Sequence, residues 1–194
     1  MNHFFALELS PDARKEAAQA AREWWELFNP RASWLVAEDY HITLKVLGEV
    51  SEVQLSYLTK AASHIAGQTT PFRVGLASFG AFPDFRLPRY LWIGVKPALE
   101  LDELAGSLSR LAEREQVPSD QWPYTPHVTV AHSLVTGSGL RWPVPAERVF
   151  PTWQVNRFCL MQTLPPESRA NGAKARYNSV HTFPLTGTQI SDVS

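Results

Sequence analysis

The stretch Tyr40–Lys45, YHITLK, recurs in a second form at Pro126–Ala131, PHVTVA. Both copies contain histidine, an apolar residue, threonine and another apolar residue, in that order. Successive side chains of an extended strand point to opposite faces, so each histidine shares a face with its threonine. The repeat therefore predicts two strands that bury their apolar pairs in a core and present an imidazole and a hydroxyl to a shared cleft.

The elements around the two copies also repeat. A predicted strand at His3–Leu9 and a helix at Ala13–Phe28 precede the first copy. A strand at Tyr90–Val95 and a helix at Ala98–Gln116 precede the second copy at nearly the same spacing. This order predicts two pseudo-symmetric halves fused in one two-lobed domain, residues 1–194. The predicted class is α+β and bilobal, with mainly antiparallel sheets flanked by helices around a central cleft.

Local signals predict where several other elements begin and end. Ser10, followed by proline and aspartate, is typical of a helix start. Ser51–Gln54 has the form of a capping box and predicts a second helix after the first motif strand. Three further segments have the composition of strands, namely Pro71–Phe79, Trp153–Gln162 and Ala175–Thr182.

Composition narrows the class of protein. The chain has 194 residues, of which 44% are hydrophobic, so it can build a substantial core. Its formal net charge of −1 argues against a broad basic surface that binds long nucleic-acid duplexes. Binding of a short RNA end through local contacts is compatible with this charge. Cys159 is the single cysteine, so no internal disulfide is expected. No apolar leader or membrane-spanning run is evident, and we expect a soluble, cytoplasmic monomer.

Two histidines and two hydroxyls across one cleft suit displacement at phosphorus. In-line displacement needs a base beside the attacking oxygen and an acid beside the leaving oxygen. Histidine serves both roles, because its ordinary pKa of about 6.5 lets it give or take a proton near neutrality. Thr43 and Thr129 can donate hydrogen bonds to non-bridging phosphate oxygens. We therefore predict that His41 and His127 are catalytic, and the residues alone leave open which is acid and which is base.

Other chemistries are less compatible with the sequence. A metal centre would draw on residues near the two motifs, and the candidates are Glu38, Asp39, His41, His127 and His132. The remaining acidic residues are dispersed over predicted helices, so no metal and no cofactor is predicted. The chain has neither the Gly-x-Ser-x-Gly elbow of serine hydrolases nor a phosphate-binding loop of nucleotide triphosphatases.

The paired motifs resemble those of a known family. HITL at His41–Leu44 and HVTV at His127–Val130 look like the signature of the 2H phosphoesterases. More narrowly, the chain is similar to the RNA 2′,3′-cyclic phosphodiesterases, which are also called 2′-5′ RNA ligases. The supporting stretches are FFALEL, HITLKVLGEV, YLWIGV, PYTPHVTVAH and KARYNSV, which span nearly the whole chain in order.

This resemblance implies a bilobal fold with both motifs on the floor of a central groove. It also implies a metal-independent enzyme that opens terminal 2′,3′-cyclic phosphates of RNA to 2′-phosphates. The implied partners are RNA ends that carry this group, with tRNA fragments as one candidate. His41 would protonate the departing 3′-oxygen, and His127 would activate water. The reverse reaction would join RNA ends by a 2′-5′ bond without ATP.

The chain departs from the family pattern at one place. Family members usually carry arginine five residues beyond the second motif histidine, as a phosphate contact, and here that residue is His132. We predict that His132 contacts substrate. The alternative candidates for supplying the missing charge are Lys45, Arg169, Lys174 or Arg176.

Two aromatic residues are candidates for stacking on a base. Tyr124 lies three residues before His127, and Phe5 lies in the first predicted strand. Aromatic faces stack on nucleobases without regard to sequence. Aromatic residues in apolar strands more often belong to a core, and we place only Tyr124 among the predicted substrate-binding residues.

Other functions fit the same motifs. The substrate could be a 2′-5′ oligonucleotide or a small nucleotide cyclic phosphate. A module that binds RNA ends without reaction is the alternative from a different class. Turnover would separate this module from the enzyme, since the module would leave RNA ends unchanged.

Overall fold

The computed structural model describes residues 1–28, 32–85, 88–118, 123–132, 148–165 and 175–188. Within these ranges the chain forms nine strands and three α-helices, with a short 3₁₀ helix at Ala37–Asp39. In order they are β1 Asn2–Glu8, α1 Pro11–Phe28, β2 Ser33–Trp34, β3 His41–Glu49, α2 Glu52–Gln68, β4 Phe72–Phe82, β5 Tyr90–Val95, α3 Leu99–Arg114, β6 His127–His132, β7 Thr152–Val155, β8 Arg157–Thr163 and β9 Tyr177–Pro184.

The strands form one sheet in the order β7-β4-β5-β6-β3-β1-β8-β9, and the short β2 pairs with β6. All pairings between the described strands are antiparallel. This architecture confirms the predicted α+β class with a mainly antiparallel sheet. None of the described helices combines the length and the apolar character that crossing a bilayer requires.

The predicted repeat is present in the topology. β1, α1 and β3 recur as β5, α3 and β6, and the two motif strands β3 and β6 are neighbours at the centre of the sheet. Apart from β2, four strands lie on each side of this junction, where Ile42 pairs with Val128. The sheet thus consists of two antiparallel halves that meet between the motifs. That residues 1–194 form one two-lobed domain stays a prediction.

All three helices pack on one face of the sheet, which we call the core face. Its central cluster combines helix residues such as Trp24, Leu58 and Leu108 with Ile42 and Val128 of the motif strands. Burying such side chains contributes about 1.5–3 kcal/mol each. The core face therefore holds the apolar residues of both motifs in place.

The predicted helix starts are confirmed. The Ser10 hydroxyl accepts a hydrogen bond from the backbone N–H of Ala13 at 3.2 Å. In α2, the Ser51 hydroxyl accepts from the Gln54 N–H at 3.2 Å, while the Gln54 side-chain oxygen accepts from the Ser51 N–H at 3.0 Å. These bonds satisfy backbone donors that have no partner within the first turn of a helix.

The two motif strands contain matching β-bulges. In β3, Thr43 pairs with Ala6 and Lys45 with Phe5, so Leu44 is the extra residue. In β6, Thr129 pairs with Trp92 and Ala131 with Leu91, so Val130 is the extra residue. A bulge shifts the alternation of side chains by one residue. Each bulge lies three residues after the histidine of its motif. The bulge determines which of the later residues in the strand lie on the same face as that histidine.

One predicted strand is wrong. The segment Trp153–Gln162 forms two strands in opposite halves, since β7 pairs with β4 and β8 pairs with β1. The break lies at Asn156, whose carbonyl accepts a hydrogen bond from the Leu185 N–H at 2.8 Å. Asn156 and Arg157 are both exposed, which interrupts the alternation. The sequence also predicts a polar turn at Leu164–Lys174, and this segment falls mostly outside the described residues.

Gly80 makes room for the Trp92 ring. The two residues are cross-strand partners, and a Cβ added at Gly80 would overlap the six-membered ring of the Trp92 indole. We expect Gly80→Ala to lower the free energy of unfolding by about 1–3 kcal/mol, because the indole must move. Urea denaturation measures this change.

Gly67→Ala is the matched control. Gly67 lies in α2, and the nearest atom to an added Cβ is Thr186 Oγ1 at 3.9 Å. Alanine there should stabilise the protein by about 0.5–1 kcal/mol, through helix propensity. Equal stability of the Gly80→Ala variant and the wild type would contradict the packing of Trp92 on Gly80.

Candidate active site

The burial of the motif strands follows the predicted alternation. His41 and Thr43 are half-buried, while Ile42 and Leu44 between and after them are buried. In β6, His127 and Thr129 are likewise half-buried, and their apolar neighbours are buried. We call the face that carries the two histidines and two threonines the motif face. It lies opposite the core face and its helices.

The pairing of β3 with β6 sets the arrangement of the four motif side chains. Because Ile42 pairs with Val128 in antiparallel fashion, the register places His41 across from Thr129 and Thr43 across from His127. The histidines thus occupy diagonal corners of a quadrilateral, about 8 Å apart at the backbone from strand spacing and rise. This leaves room for one phosphate group between them, with a threonine beside each histidine.

Both histidines are held in the same tautomer. His41 Nδ1 donates a hydrogen bond to the Asp39 carbonyl at 2.7 Å, and His127 Nδ1 donates to the Thr125 carbonyl at 2.6 Å. A carbonyl only accepts, so in the neutral ring the proton lies on Nδ1. Nε2 is then the nitrogen that can take up or release a proton.

Aromatic rings flank each histidine. The centroid of the His41 ring lies 4.9 Å from that of Phe4 and 5.1 Å from that of Tyr177. The His127 ring lies 5.0 Å from Phe82 and 5.8 Å from Trp92. These rings limit the rotation of the imidazoles and exclude water from part of their surface. None of the four was among the candidates predicted from the sequence, because aromatic residues in apolar strands are typical of a core.

The surroundings lower the pKa of both histidines. Burial is the main cause for His41, whose pKa falls to about 4, and a charge on His127 lowers it further. Burial also lowers the pKa of His127. The hydrogen bonds to Asp39 and Thr125 act in the opposite direction but are the weaker influence. Both imidazoles are therefore neutral at pH 7 in the free protein.

Tyr124 lies beside the first motif strand, and its role in binding substrate stays a prediction. Its hydroxyl donates a hydrogen bond to the Thr43 carbonyl at 3.2 Å, and its side chain is exposed. Burial of the hydroxyl and the charge of Asp102 raise its pKa. Phe5 is fully buried on the core face and cannot stack on a base. The aromatic residue of β1 near the site is its neighbour Phe4.

The bulges decide which flanking residues share the motif face. After the bulge in β3, Lys45 pairs with the core residue Phe5, is 2% exposed, and donates from Nζ to the Pro118 carbonyl at 3.2 Å. The hypothesis that Lys45 supplies the missing positive charge is therefore wrong. After the bulge in β6, His132 pairs with the exposed Tyr90 and lies on the motif face.

Arg176 is the candidate cation that the structure brings to this region. Its Nη1 donates a hydrogen bond to His132 Nε2, and its backbone N–H donates to Asp39 Oδ1 at 2.6 Å. Arg169 and Lys174 lie outside the described residues. Asp39, a metal-ligand candidate in the sequence, here holds both Arg176 and, through its carbonyl, His41.

No group of three or more histidine, cysteine, aspartate or glutamate residues in the described part of the chain is arranged to hold a metal ion.

The sequence matches the model of the 2′-5′ RNA ligase superfamily over residues 10–165. The chain belongs to this superfamily, whose members are 2H phosphoesterases. It is 28% identical over 192 residues to an RNA 2′,3′-cyclic phosphodiesterase of Geobacillus stearothermophilus, covering 96% of this chain and 58% of the relative. The enzyme of the same name from Aquifex aeolicus is 36% identical over 99 residues, which are 50% of this chain and 53% of the relative. The chain thus spans little more than half the length of these relatives.

Solved structures share the fold of this superfamily member. A crystal structure from Thermus thermophilus matches with a TM-score of 0.81 and 24% identity, covering 96% of this chain and 99% of the other. Escherichia coli LigT complexed with 3′-AMP matches with a TM-score of 0.71 and 25% identity, covering 95% and 98%. These likenesses place the two halves described above in a known architecture.

Proposed function

We propose that the protein is an RNA 2′,3′-cyclic phosphodiesterase, which opens a terminal cyclic phosphate to a 2′-phosphate. The observation that carries this proposal is the pair of diagonal histidines, each held as the Nδ1–H tautomer by the carbonyl two residues earlier. Such a pair offers two Nε2 atoms on opposite sides of one phosphate. The names of the curated relatives support the same reaction.

In the proposed mechanism the cyclic phosphate lies between the four motif side chains. His127 Nε2 takes a proton from water as the water oxygen attacks phosphorus. His41 Nε2 gives a proton to the departing 3′-oxygen, so the phosphate stays on the 2′-oxygen. Thr43 and Thr129 donate hydroxyl hydrogen bonds to the non-bridging oxygens, whose charge is greatest in the transition state. The two imidazoles carry both proton transfers, so the proposed steps use no metal or cofactor.

The lowered pKa values require that the acid gain its proton when substrate binds. Both histidines are neutral in the free protein at pH 7, so neither can act as an acid at once. The phosphodiester carries a negative charge, and an opposite charge within about 4–6 Å favours a protonated imidazole. Entry of the substrate therefore raises the pKa of the acid while the other histidine stays neutral as the base.

The same geometry supports the reverse reaction. If a 5′-hydroxyl replaces water at His127, attack on the cyclic phosphate gives a 2′-5′ bond without ATP, since the strained ring supplies the free energy. Small nucleotide cyclic phosphates are the second candidate substrates, a choice favoured by the complex of E. coli LigT with 3′-AMP. Action on tRNA fragments, a monomeric state and a cytoplasmic location stay predictions.

The central prediction concerns the two histidines. We expect the wild type to convert a short RNA with a 2′,3′-cyclic phosphate to the 2′-phosphate in excess EDTA. His41→Ala and His127→Ala should each lower kcat by at least about 10²–10⁴-fold, because each removes one proton transfer. Phosphorus NMR of the product identifies the phosphate position.

His181→Ala is a control, since His181 lies on β9 with an exposed side chain outside the motifs. Circular dichroism and urea denaturation should show that all three variants are folded. A 3′-phosphate product would contradict the assignment of the leaving oxygen. An unchanged cyclic end with folded wild type would favour the RNA-end-binding module instead.

The pH dependence of kcat/KM tests the lowered pKa values. This parameter reports the free enzyme, and activity needs one histidine protonated and the other neutral. Since burial lowers both pKa values below about 6.5, the singly protonated pair is most populated below that pH. We expect kcat/KM to peak below pH 6.5 and to fall as pH rises. An optimum above pH 7 would contradict the described surroundings of the histidines.

A further inference from the structure

We propose that Arg176 binds the substrate phosphate and that His132 positions its guanidinium over the motif face. This inference rests on the proposed function and names a residue of the same site. It would explain how the chain can bind phosphate with histidine at position 132, where members of its family usually have arginine. The charge would come from the residue that precedes β9, and the support from the last residue of β6.

Backbone geometry places His132 on the motif face. Because of the bulge at Val130, the side chain of Ala131 lies on the core face. The side chain of the next residue, His132, therefore lies on the same face as His127. The equivalent bulge at Leu44 sends Lys45 to the core face and returns Val46, which is apolar and half exposed. Position five after each histidine therefore faces the site in both halves. Only the second half has a side chain there that can accept a hydrogen bond.

Arg176 is held beside His41 by two neighbouring contacts. Its backbone N–H donates to Asp39 Oδ1 at 2.6 Å, and the Asp39 carbonyl accepts from His41 Nδ1 at 2.7 Å. The next residue, Tyr177, places its ring 5.1 Å from that of His41. Asp39 is buried and so forms a fixed anchor. The orientation of His41 and the position of Arg176 thus depend on the same residue.

The contact between the two side chains has a defined polarity. The guanidinium only donates, so Arg176 Nη1 donates and His132 Nε2 accepts. This requires an imidazole without a proton on Nε2. Burial and the charge of Arg176 both lower the pKa of His132, which keeps the ring neutral. A guanidinium has five N–H donors, so it can contact His132 and still bind a phosphate through two parallel hydrogen bonds.

Two other cations near the sheet have different contacts. Lys45 lies on the core face, where it donates to the Pro118 carbonyl. Arg157 lies on β8 and forms an ion pair with Glu8 at 3.0 Å, with most of its side chain exposed. Glu8 is the cross-strand partner of His41, so Arg157 is close to the site in the sheet but engaged elsewhere. Arg157 is therefore a matched control for Arg176.

The first test compares Arg176→Ala with Arg157→Ala. We measure kcat and KM on the cyclic-phosphate RNA, and by calorimetry the Kd for adenosine 2′-monophosphate. We expect Arg176→Ala to lower kcat/KM and to weaken nucleotide binding by about 10- to 100-fold, as loss of a charged hydrogen bond implies. Arg157→Ala should stay within about threefold of wild type, since exposed ion pairs contribute little. Equal effects of the two variants would overturn the proposal.

The second test uses position 132. The double variant Arg176→Ala/His132→Arg should recover at least about tenfold of the lost kcat/KM, because arginine would then stand on the motif face itself. His132→Ala removes the acceptor for Arg176 and should raise KM more than it lowers kcat, whereas His132→Gln keeps an acceptor and should raise KM less than His132→Ala does. Equal KM values for His132→Gln and His132→Ala would contradict a positioning role.

The two proposals fail separately in these experiments. Turnover that depends on His41 and His127 but not on Arg176 would overturn this inference and leave the proposed function standing. Absence of turnover by the wild type would overturn the proposed function. In that event the calorimetric Kd values would still show whether Arg176 binds the phosphate. Circular dichroism and urea denaturation establish that each variant is folded.

Discussion

The antiparallel pairing of Ile42 with Val128 is the constraint on which the site depends. It joins the two halves of the sheet and fixes the register of the motif strands. Because both residues are fully buried, the apolar pair holds this register from the core face. A slip of one residue would turn every side chain of a motif to the wrong face. The backbone positions of His41 and His127 are thus set by packing beneath them, while the neighbouring aromatic rings limit the rotation of their imidazoles.

The two halves share a backbone arrangement but differ in the side chains around the motif residues. Each motif strand bulges three residues after its histidine, and each histidine donates to the carbonyl two residues before it. Where β1 has Ala6, the equivalent position of β5 has Trp92. A substrate with distinct attacking and leaving oxygens needs unlike surroundings for its acid and base. The pseudo-symmetric sheet supplies opposed positions, and the unlike side chains supply different roles.

The sequence was sufficient to predict those features of the fold and the site that local patterns determine. Alternation around His41 and His127 predicted their shared face, and the order of elements predicted the repeat and the antiparallel class. The bulges could not be predicted, because an extra residue is defined only by the pairing of strands distant in sequence. Strict alternation would put Lys45 on the face of His41, so the sequence offered no reason to prefer Arg176 among the four candidate cations. The break at Asn156 was missed for the same reason, since the strands beside it pair with opposite halves.

The most direct test asks whether both motif histidines contact one phosphate. Proton–nitrogen NMR of the histidine side chains, during titration with adenosine 2′-monophosphate, follows each Nε2 separately. We predict that the Nε2 signals of His41 and His127 shift together along one binding curve, while the exposed His64 on α2 does not respond. A shift of only one motif histidine, or two curves with different Kd values, would contradict a single phosphate held between them.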